Sequence, residues 1–179
     1  MRYVSTRGRA EVLDFAQAMM TGLARDGGLY LPETIPTLSA EQIAALEGLP
    51  YEEAALRVIA PFVGDSFSQD ELSGAIARAY AGFDHVARAP LVQLAPGHHL
   101  LELFHGPTIA FKDFAMQLIG QLFQMALAKS GQRVTILGAT SGDTGSAAIE
   151  AFKGLPNVDV FIMYPCLLYT SPSPRDKRQ

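Results

Sequence analysis

The chain has 179 residues, 49% of them apolar and 18% charged, which supplies a real core and is unlike a disordered composition. A formal charge of −4 argues against a nucleic-acid partner, and no run approaches the roughly 18 apolar residues of a membrane span. The N-terminal MRYVSTRGRAEV lacks the apolar centre of a secretory signal, and acidic residues begin at Glu11, so the expectation is a soluble, cytoplasmic protein that binds neither nucleic acid nor membrane. The single cysteine, Cys166, excludes an intrachain disulfide or a cysteine-built metal cluster. His85, His98, His99 and His105 show no metal-ligand spacing.

In chain order, RYVSTR reads as a short first strand. A helix over about 11–23 follows, with Val12, Phe15, Ala16 and Met19 on one face. Asp26-Gly27-Gly28 is a turn signal ahead of a short strand at 29–31. Three helices come next. Ser39 with Gln42 and Ser68 with Glu71 have capping-box spacing for the first and third. The second spans about 51–62 and ends near Pro61 and Gly64, and the third spans about 69–80.

Near residue 83 the pattern changes from helical to alternating. LVQL and HLLELF read as strands on either side of Pro96-Gly97, and 114–129 is a helix apolar almost all round, which implies burial. RVTILGA is β-rich, 144–153 is a helix and VDVFIMY a strand. Strand, helix, strand, helix, strand is the signature of a parallel α/β sheet. The fold class expected is therefore α/β: a small, mostly helical N-terminal domain over 1–85, then the start of a parallel-sheet domain over 86–165. No internal repeat is present.

Three stretches carry polar groups suited to chemistry. In ILGATSGDTGSAAIEAF a strand ends at Gly138, a small polar loop follows and a helix begins. Helix-start amides lack intrahelical partners and carry partial positive charge. Gly142 and Gly145 would let the loop pass close to a ligand, and Thr140, Ser141 and Thr144 add hydroxyl donors. This suits a carboxylate or phosphate. The same residues also read as an ordinary helix start capped by Asp143 or Ser141.

In the second stretch, FHGPTIAFKDFAM, Lys112 stands just ahead of a helix and beside aromatic residues. A helix N-terminus and desolvation both favour the neutral amine that a Schiff-base lysine needs, while Asp113 works the other way. The alternative is a solvated lysine followed by a first-turn aspartate that complements the helix dipole. In the third, YVSTRG, Ser5, Thr6 and Arg7 could hold a phosphate, since an arginine fork matches its oxygens. A plain strand end and turn is the alternative.

The last residues, CLLYTSPSPRDKRQ, break the α/β pattern where a loop and helix would continue it. CLLYTSPSPRD is similar to the translation of a transposase sequencing adapter, so 166–179 is set apart as a non-native tail.

Taken together, YVSTRG, GLARDGGLYLPE, ELFHGPTIAFKDFAMQ and ILGATSGDTGSAA resemble, in order and spacing, the N-terminal part of the threonine synthase family. The resemblance covers about 1–165. It implies a pyridoxal 5'-phosphate enzyme of the fold shared with the tryptophan synthase β subunit. Such an enzyme converts the small-molecule substrate O-phospho-L-homoserine and water to L-threonine and phosphate, a carbon–oxygen lyase reaction. By the resemblance, Lys112 of the FKD motif carries the cofactor as a Schiff base and moves protons at the substrate carbons. Thr140, Ser141, Gly142 and Thr144 would hold the substrate carboxylate, with Asp143 near the cofactor; Ser5, Thr6 and Arg7 are further substrate-binding candidates. Asp143 stands where many relatives of the fold carry asparagine, and a carboxylate facing a carboxylate is unfavourable, so it would point at a hydroxyl or backbone instead. The family is more than twice as long as this chain, and its later part supplies the cofactor-phosphate cup and the partner of the pyridine nitrogen. The expectation is thus a truncated catalytic domain and an inactive 179-residue polypeptide, with another pyridoxal-phosphate lyase or a non-catalytic anion- or cofactor-binding module as the alternative readings. The resemblance leaves the oligomeric state open.

Overall fold

A computed structural model describes residues 1–140 and 142–164. Its elements are β1 (Tyr3–Ser5), α1 (Phe15–Thr21), β2 (Tyr30–Pro32), α2 (Ala40–Ala44), α3 (Tyr51–Val63), α4 (Gln69–Tyr80), β3 (Leu91–Ala95), β4 (His98–Leu101), α5 (Asp113–Ser130), β5 (Val134–Ala139), α6 (Asp143–Phe152) and β6 (Val158–Met163). A 3₁₀ turn, Gly64–Ser66, joins α3 to α4. The adapter-like tail and Ser141 lie outside the described residues.

Local chemistry sets most of the boundaries. Helix α1 begins four residues later than the apolar periodicity suggests, because Asp14 caps it: its carboxylate accepts from the Gln17 N–H while the Gln17 side chain accepts from the Asp14 N–H. The residue before that cap, Leu13, is still paired with Tyr3 through two backbone hydrogen bonds of 2.8 and 3.0 Å. The capping boxes at Ser39–Gln42 and Ser68–Glu71 both form. Pro61 does not end α3: the helix runs on to Val63 and stops at Gly64, whose φ of 58° suits glycine.

Among the described residues the strands form three two-stranded sheets, and of those expected in the parallel sheet only β5 and β6 pair in parallel. β1 and β2 pair antiparallel, as do β3 and β4, and only β5 and β6 are parallel. The reason for the second pair is covalent. Pro96-Gly97 is a two-residue connection, and such a link joins antiparallel strands, whereas a parallel pair needs a crossover of a dozen or more residues. Gly97, at φ 70°, takes the left-handed conformation the turn requires. β4 also stops at Leu101, short of the HLLELF run. The parallel part is the unit β5–α6–β6, with Val134 opposite Val158 and Ala139 opposite Met163.

Two apolar clusters hold the chain together. The first gathers Val63, Phe67, Leu72, Ile76, Tyr80 and Phe83 from the helical unit with Leu118 and Leu122 of α5. The second gathers Leu127 of α5 with Ala148, Ala151, Phe152 and Val158. Helix α5 therefore buries residues on two sides, which explains why its sequence is apolar almost all round. Each fully buried leucine contributes roughly 1.5–3 kcal/mol relative to exposure. Gly120 allows the α5–α6 contact: a Cβ built there would lie 2.5 Å from the Ala151 carbonyl oxygen. Among the described residues, no helix is long and apolar enough to cross a membrane.

Candidate functional site

Lys112 immediately precedes α5 and caps it without a side-chain hydrogen bond. The loop that delivers it is pinned from several sides. Asp113 has no exposed surface. Its two carboxylate oxygens accept from the N–H of Thr108 at 2.8 Å and from the Thr108 hydroxyl at 2.7 Å. So Asp113 closes the 106–113 loop on itself, a role beyond the dipole complement read from the sequence. Gly106 makes room for that clamp, since a Cβ on it would meet the Asp113 Cβ and Oδ2 at 2.5 Å. One residue further on, the Phe114 carbonyl accepts from the Tyr80 hydroxyl at 3.0 Å. The Phe114 ring packs edge-on against Phe83, 4.9 Å between centroids. Burial raises the pKa of the Tyr80 hydroxyl, which keeps it a donor.

The loop is also locally unusual. Ile109 takes a φ of 61°, a conformation disfavoured for a β-branched residue. Its side chain is 72% exposed, and Phe111 and Phe104 beside it are 59% and 47% exposed. The Lys112 amine is itself half-buried, with the Phe111 ring centroid 5.6 Å from its Nζ.

The strand–loop–helix stretch meets the lysine. The Lys112 Nζ donates to the Thr144 hydroxyl in the first turn of α6. That contact joins two motifs 32 residues apart. The loop leaves β5 at Thr140, whose N–H donates to the Met163 carbonyl at 3.0 Å, and whose hydroxyl faces the Gly142 N–H at 3.4 Å. The cap of α6 is Gly142, in place of the Asp143 or Ser141 considered from the sequence, and among the described residues no side chain caps it. Among the described residues a Cβ on Gly142 would meet nothing within 4 Å, which leaves space beside the helix start. Gly145 behaves differently. It is buried, and a Cβ there would meet Thr140 Cγ2 at 2.7 Å and Ile162 Cγ2 at 3.1 Å. Its smallness serves the packing of α6 on the strands. Asp143 is exposed in the first turn, where a carboxylate complements the helix dipole. Ser141 lies outside the described residues.

Ser5, Thr6 and Arg7 form a separate cluster at the end of β1. Ser5 is buried, and its hydroxyl donates to the Asp26 carboxylate, with contacts of 2.7 and 2.9 Å. Asp26 accepts further from the N–H groups of Arg9 at 2.9 Å and Gly28 at 3.0 Å. The Ser5 hydroxyl and these amides hold its pKa below the usual carboxylate value. Thr6 and Arg7 remain exposed; the Thr6 hydroxyl accepts from the Leu29 N–H at 3.0 Å and one Arg7 nitrogen donates to the Asp26 carbonyl at 3.0 Å. Sequence reasoning missed Asp26, although the Asp-Gly-Gly turn contained the signal.

It also missed His105. Its Nδ1 lies 2.7 Å from Asp84 Oδ1 and its Nε2 2.7 Å from Glu102 Oε2. Among the described residues no group of histidine, cysteine, aspartate and glutamate is arranged to hold a metal ion.

Comparison with known proteins agrees with the motifs. Residues 2–80 match the family described as "Threonine synthase N terminus". The chain is 54% identical over 165 residues to the threonine synthase of Pseudomonas aeruginosa, covering 92% of this chain and 35% of that protein. It is 42% identical over 166 residues to the rat protein called threonine synthase-like 2, covering 92% and 34%. Among solved structures, a pyridoxal-phosphate-bound threonine synthase from Brucella melitensis superposes with a TM-score of 0.90 at 55% identity, covering 92% of this chain and 36% of that one. The chain thus spans about a third of the length of the relatives it matches.

Proposed function

We propose, from the similarity to threonine synthases over 92% of this chain, that Lys112 carries pyridoxal 5'-phosphate and that the protein serves threonine synthesis from O-phospho-L-homoserine. The observation that carries this reading is the meeting of the Lys112 amine with Thr144 at the open, glycine-capped start of α6. The residues present fit the group: a reachable amine, a helix N-terminus that favours an anion, and clear space beside Gly142. When bound, the cofactor supplies an electron sink for carbanion chemistry at the substrate.

The roles of this chain's own residues follow. Lys112 takes and returns protons at the substrate carbons during loss of phosphate. The Thr144 hydroxyl orients the amine. The amides at the start of α6, with Thr140 and Ser141, hold the substrate carboxylate, and Gly142 leaves the approach clear. Asp143, exposed in the first turn of α6, would help hold the cofactor through a hydroxyl or backbone group. Thr6 and Arg7 are the exposed members of the N-terminal trio and suit a substrate phosphate; Ser5 supports them through Asp26. The exposed Phe111 ring beside the amine lowers the local polarity once covered, which favours the neutral amine.

The test has two parts. The 179-residue chain is incubated with pyridoxal 5'-phosphate, reduced with borohydride and mapped by mass spectrometry. The adduct is expected on Lys112 ahead of Lys129 and Lys153, and Lys112→Ala should lose it; indiscriminate labelling would refute the assignment. Turnover is tested in a chimera where residues 1–164 replace the matching third of the Pseudomonas aeruginosa relative. Threonine and phosphate are expected. A different product from the same substrate would favour another pyridoxal-phosphate lyase, the reading that similarity to threonine synthase-like 2 keeps open at its lower identity. The isolated 179-residue chain is expected not to turn over, since its relatives are about three times as long; turnover would overturn that part.

A further inference from the structure

His105 is held in a way that its place in the chain does not announce. A carboxylate oxygen stands 2.7 Å from each ring nitrogen, Asp84 on one side and Glu102 on the other. A carboxylate only accepts, so both nitrogens must donate, and only the imidazolium has two N–H groups. The ring is largely enclosed, its side chain 14% exposed, and Glu102 is 21% exposed, while Asp84 is 78% exposed. His85 lies 4.9 Å away ring to ring and Phe104 4.8 Å. Asp84, Glu102 and His85 are the titratable groups beside the ring, and Arg88 stands near them, reaching the carbonyls of Phe83 and His85 at 3.1 and 3.3 Å.

The contact bridges two parts of the molecule. Asp84 follows α4 and belongs to the helical unit; Glu102 follows β4. The backbone repeats the bridge, with the Asp84 N–H donating to the His105 carbonyl at 3.0 Å. The Asp84 segment is itself anchored to α3, because Arg88 donates to Glu52 at 2.6 and 3.0 Å. On the other side of His105 the chain enters Gly106, the Thr108–Asp113 clamp and then Lys112. The loop is thus tied at its far end by Asp113 and at its near end by His105.

We propose that His105 is a positioning residue for Lys112: as an imidazolium between Asp84 and Glu102 it fixes the near end of the 106–113 loop to the helical unit, and its deprotonation loosens that loop. The value of this for catalysis rests on the reading of Lys112 given above; the positioning itself does not. Hydrogen bonding to Glu102 first, then to Asp84, holds the imidazole pKa above its ordinary value. A raised folded-state pKa means that the anchoring is complete below the ordinary histidine value and is lost as pH rises through the folded one.

The experiment follows the His105 ring titration by NMR and, in parallel, amide hydrogen exchange of 106–113 corrected for intrinsic pH dependence. In the parent chain, loop protection should fall as the His105 ring deprotonates, while protection of α4 stays constant. His105→Gln should lack that pH-linked step and exchange faster throughout the loop. Asp84→Asn, at an exposed position, should fold, and should move both the ring titration and the loop step to lower pH together. Should His105→Gln fail to fold, Asp84→Asn and Glu102→Gln decide the matter through the same paired shift. Loop protection indifferent to His105 ionisation, or a ring titration that moves without the loop, overturns the proposal. Borohydride trapping of pyridoxal 5'-phosphate on the parent chain is the separate control. If Lys112 is not labelled while the loop still follows His105, the functional reading fails and the positioning stands. If Lys112 is labelled and the loop ignores His105, the reverse holds.

Discussion

Replacing Asp113 by alanine removes the acceptor that closes the lysine loop. In the parent chain this carboxylate is wholly buried and takes two hydrogen bonds from Thr108. Without it the Thr108 N–H loses its partner at a cost of about 1–3 kcal/mol, and the hydroxyl loses another, partly recovered because Thr108 is half-buried and can turn to water. Loss of an acidic group from the first turn of α5 adds about 0.3–1 kcal/mol, and alanine's better helix propensity returns a few tenths. The sum is a destabilisation of about 2–4 kcal/mol, a fall in Tm of about 2–4 °C for each kcal/mol in a chain of this size. Asp113→Asn should cost much less, about 1 kcal/mol, because an amide oxygen still accepts from the Thr108 N–H and the amide NH₂ can donate to the hydroxyl oxygen. Urea denaturation followed by far-UV circular dichroism gives both values, and borohydride trapping at Lys112 reports the loop. An alanine variant within about 0.5 kcal/mol of the parent, the range of an ordinary surface change, would refute the clamp. So would an asparagine variant as damaged as the alanine one.

Three further outcomes are expected. Gly120→Ala should destabilise by up to about 2 kcal/mol in denaturant titration, because overpacking at the α5–α6 contact costs about 1–3 kcal/mol against the roughly 1 kcal/mol of helix propensity gained; a stabilised variant would contradict the close approach to Ala151. Ile109→Asn should stabilise by up to about 1 kcal/mol, since asparagine tolerates positive φ and the isoleucine side chain buries little; a loss of stability by the same titration would show that the side chain matters more than the backbone. For Asp26, whose folded-state pKa is lowered, the stabilisation is present above the unfolded carboxylate value of about 3.9 and is lost as pH falls through the folded one. Asp26→Asn should therefore flatten the acid limb of the urea midpoint plotted against pH, and an unchanged limb would assign that slope elsewhere.

Local signals reported local structure well. Ser39–Gln42 and Ser68–Glu71 are capping boxes in the fold as in the spelling, because the reciprocal hydrogen bonds need only four consecutive residues. The β5–α6–β6 unit was legible for a similar reason: apolar runs, a short polar loop and a small-residue helix follow one another directly. The antiparallel β3–β4 pairing follows from its two-residue Pro-Gly link, while the pairing of β4 with β5 expected from the strand–helix alternation is absent among the described residues, where β4 pairs with β3. At the candidate site, Lys112 and Thr144 were each visible as motif residues, but their meeting depends on how α5 and α6 pack and is written in neither stretch. Asp113, Asp26 and His105 were hidden for one shared reason. Each is a polar residue whose partners lie elsewhere in the fold or across a loop, and periodicity carries no record of such partners. Gly145 carries a demand its loop did not announce, since its smallness also serves a strand and a threonine methyl.

The position of α5 between two apolar clusters has a consequence for how the chain acquires order. Leu118 and Leu122 complete one cluster and Leu127 the other, so neither can be finished until the same helix is in place. The two halves should then melt as one cooperative unit, with matched exchange rates on either side of the helix. Lys112 sits at the end of that shared element, which makes its address a joint product of both. A cavity opened far away in the helical unit, at Ile76 for instance, should be felt as misplacement of the amine before it is felt as loss of fold.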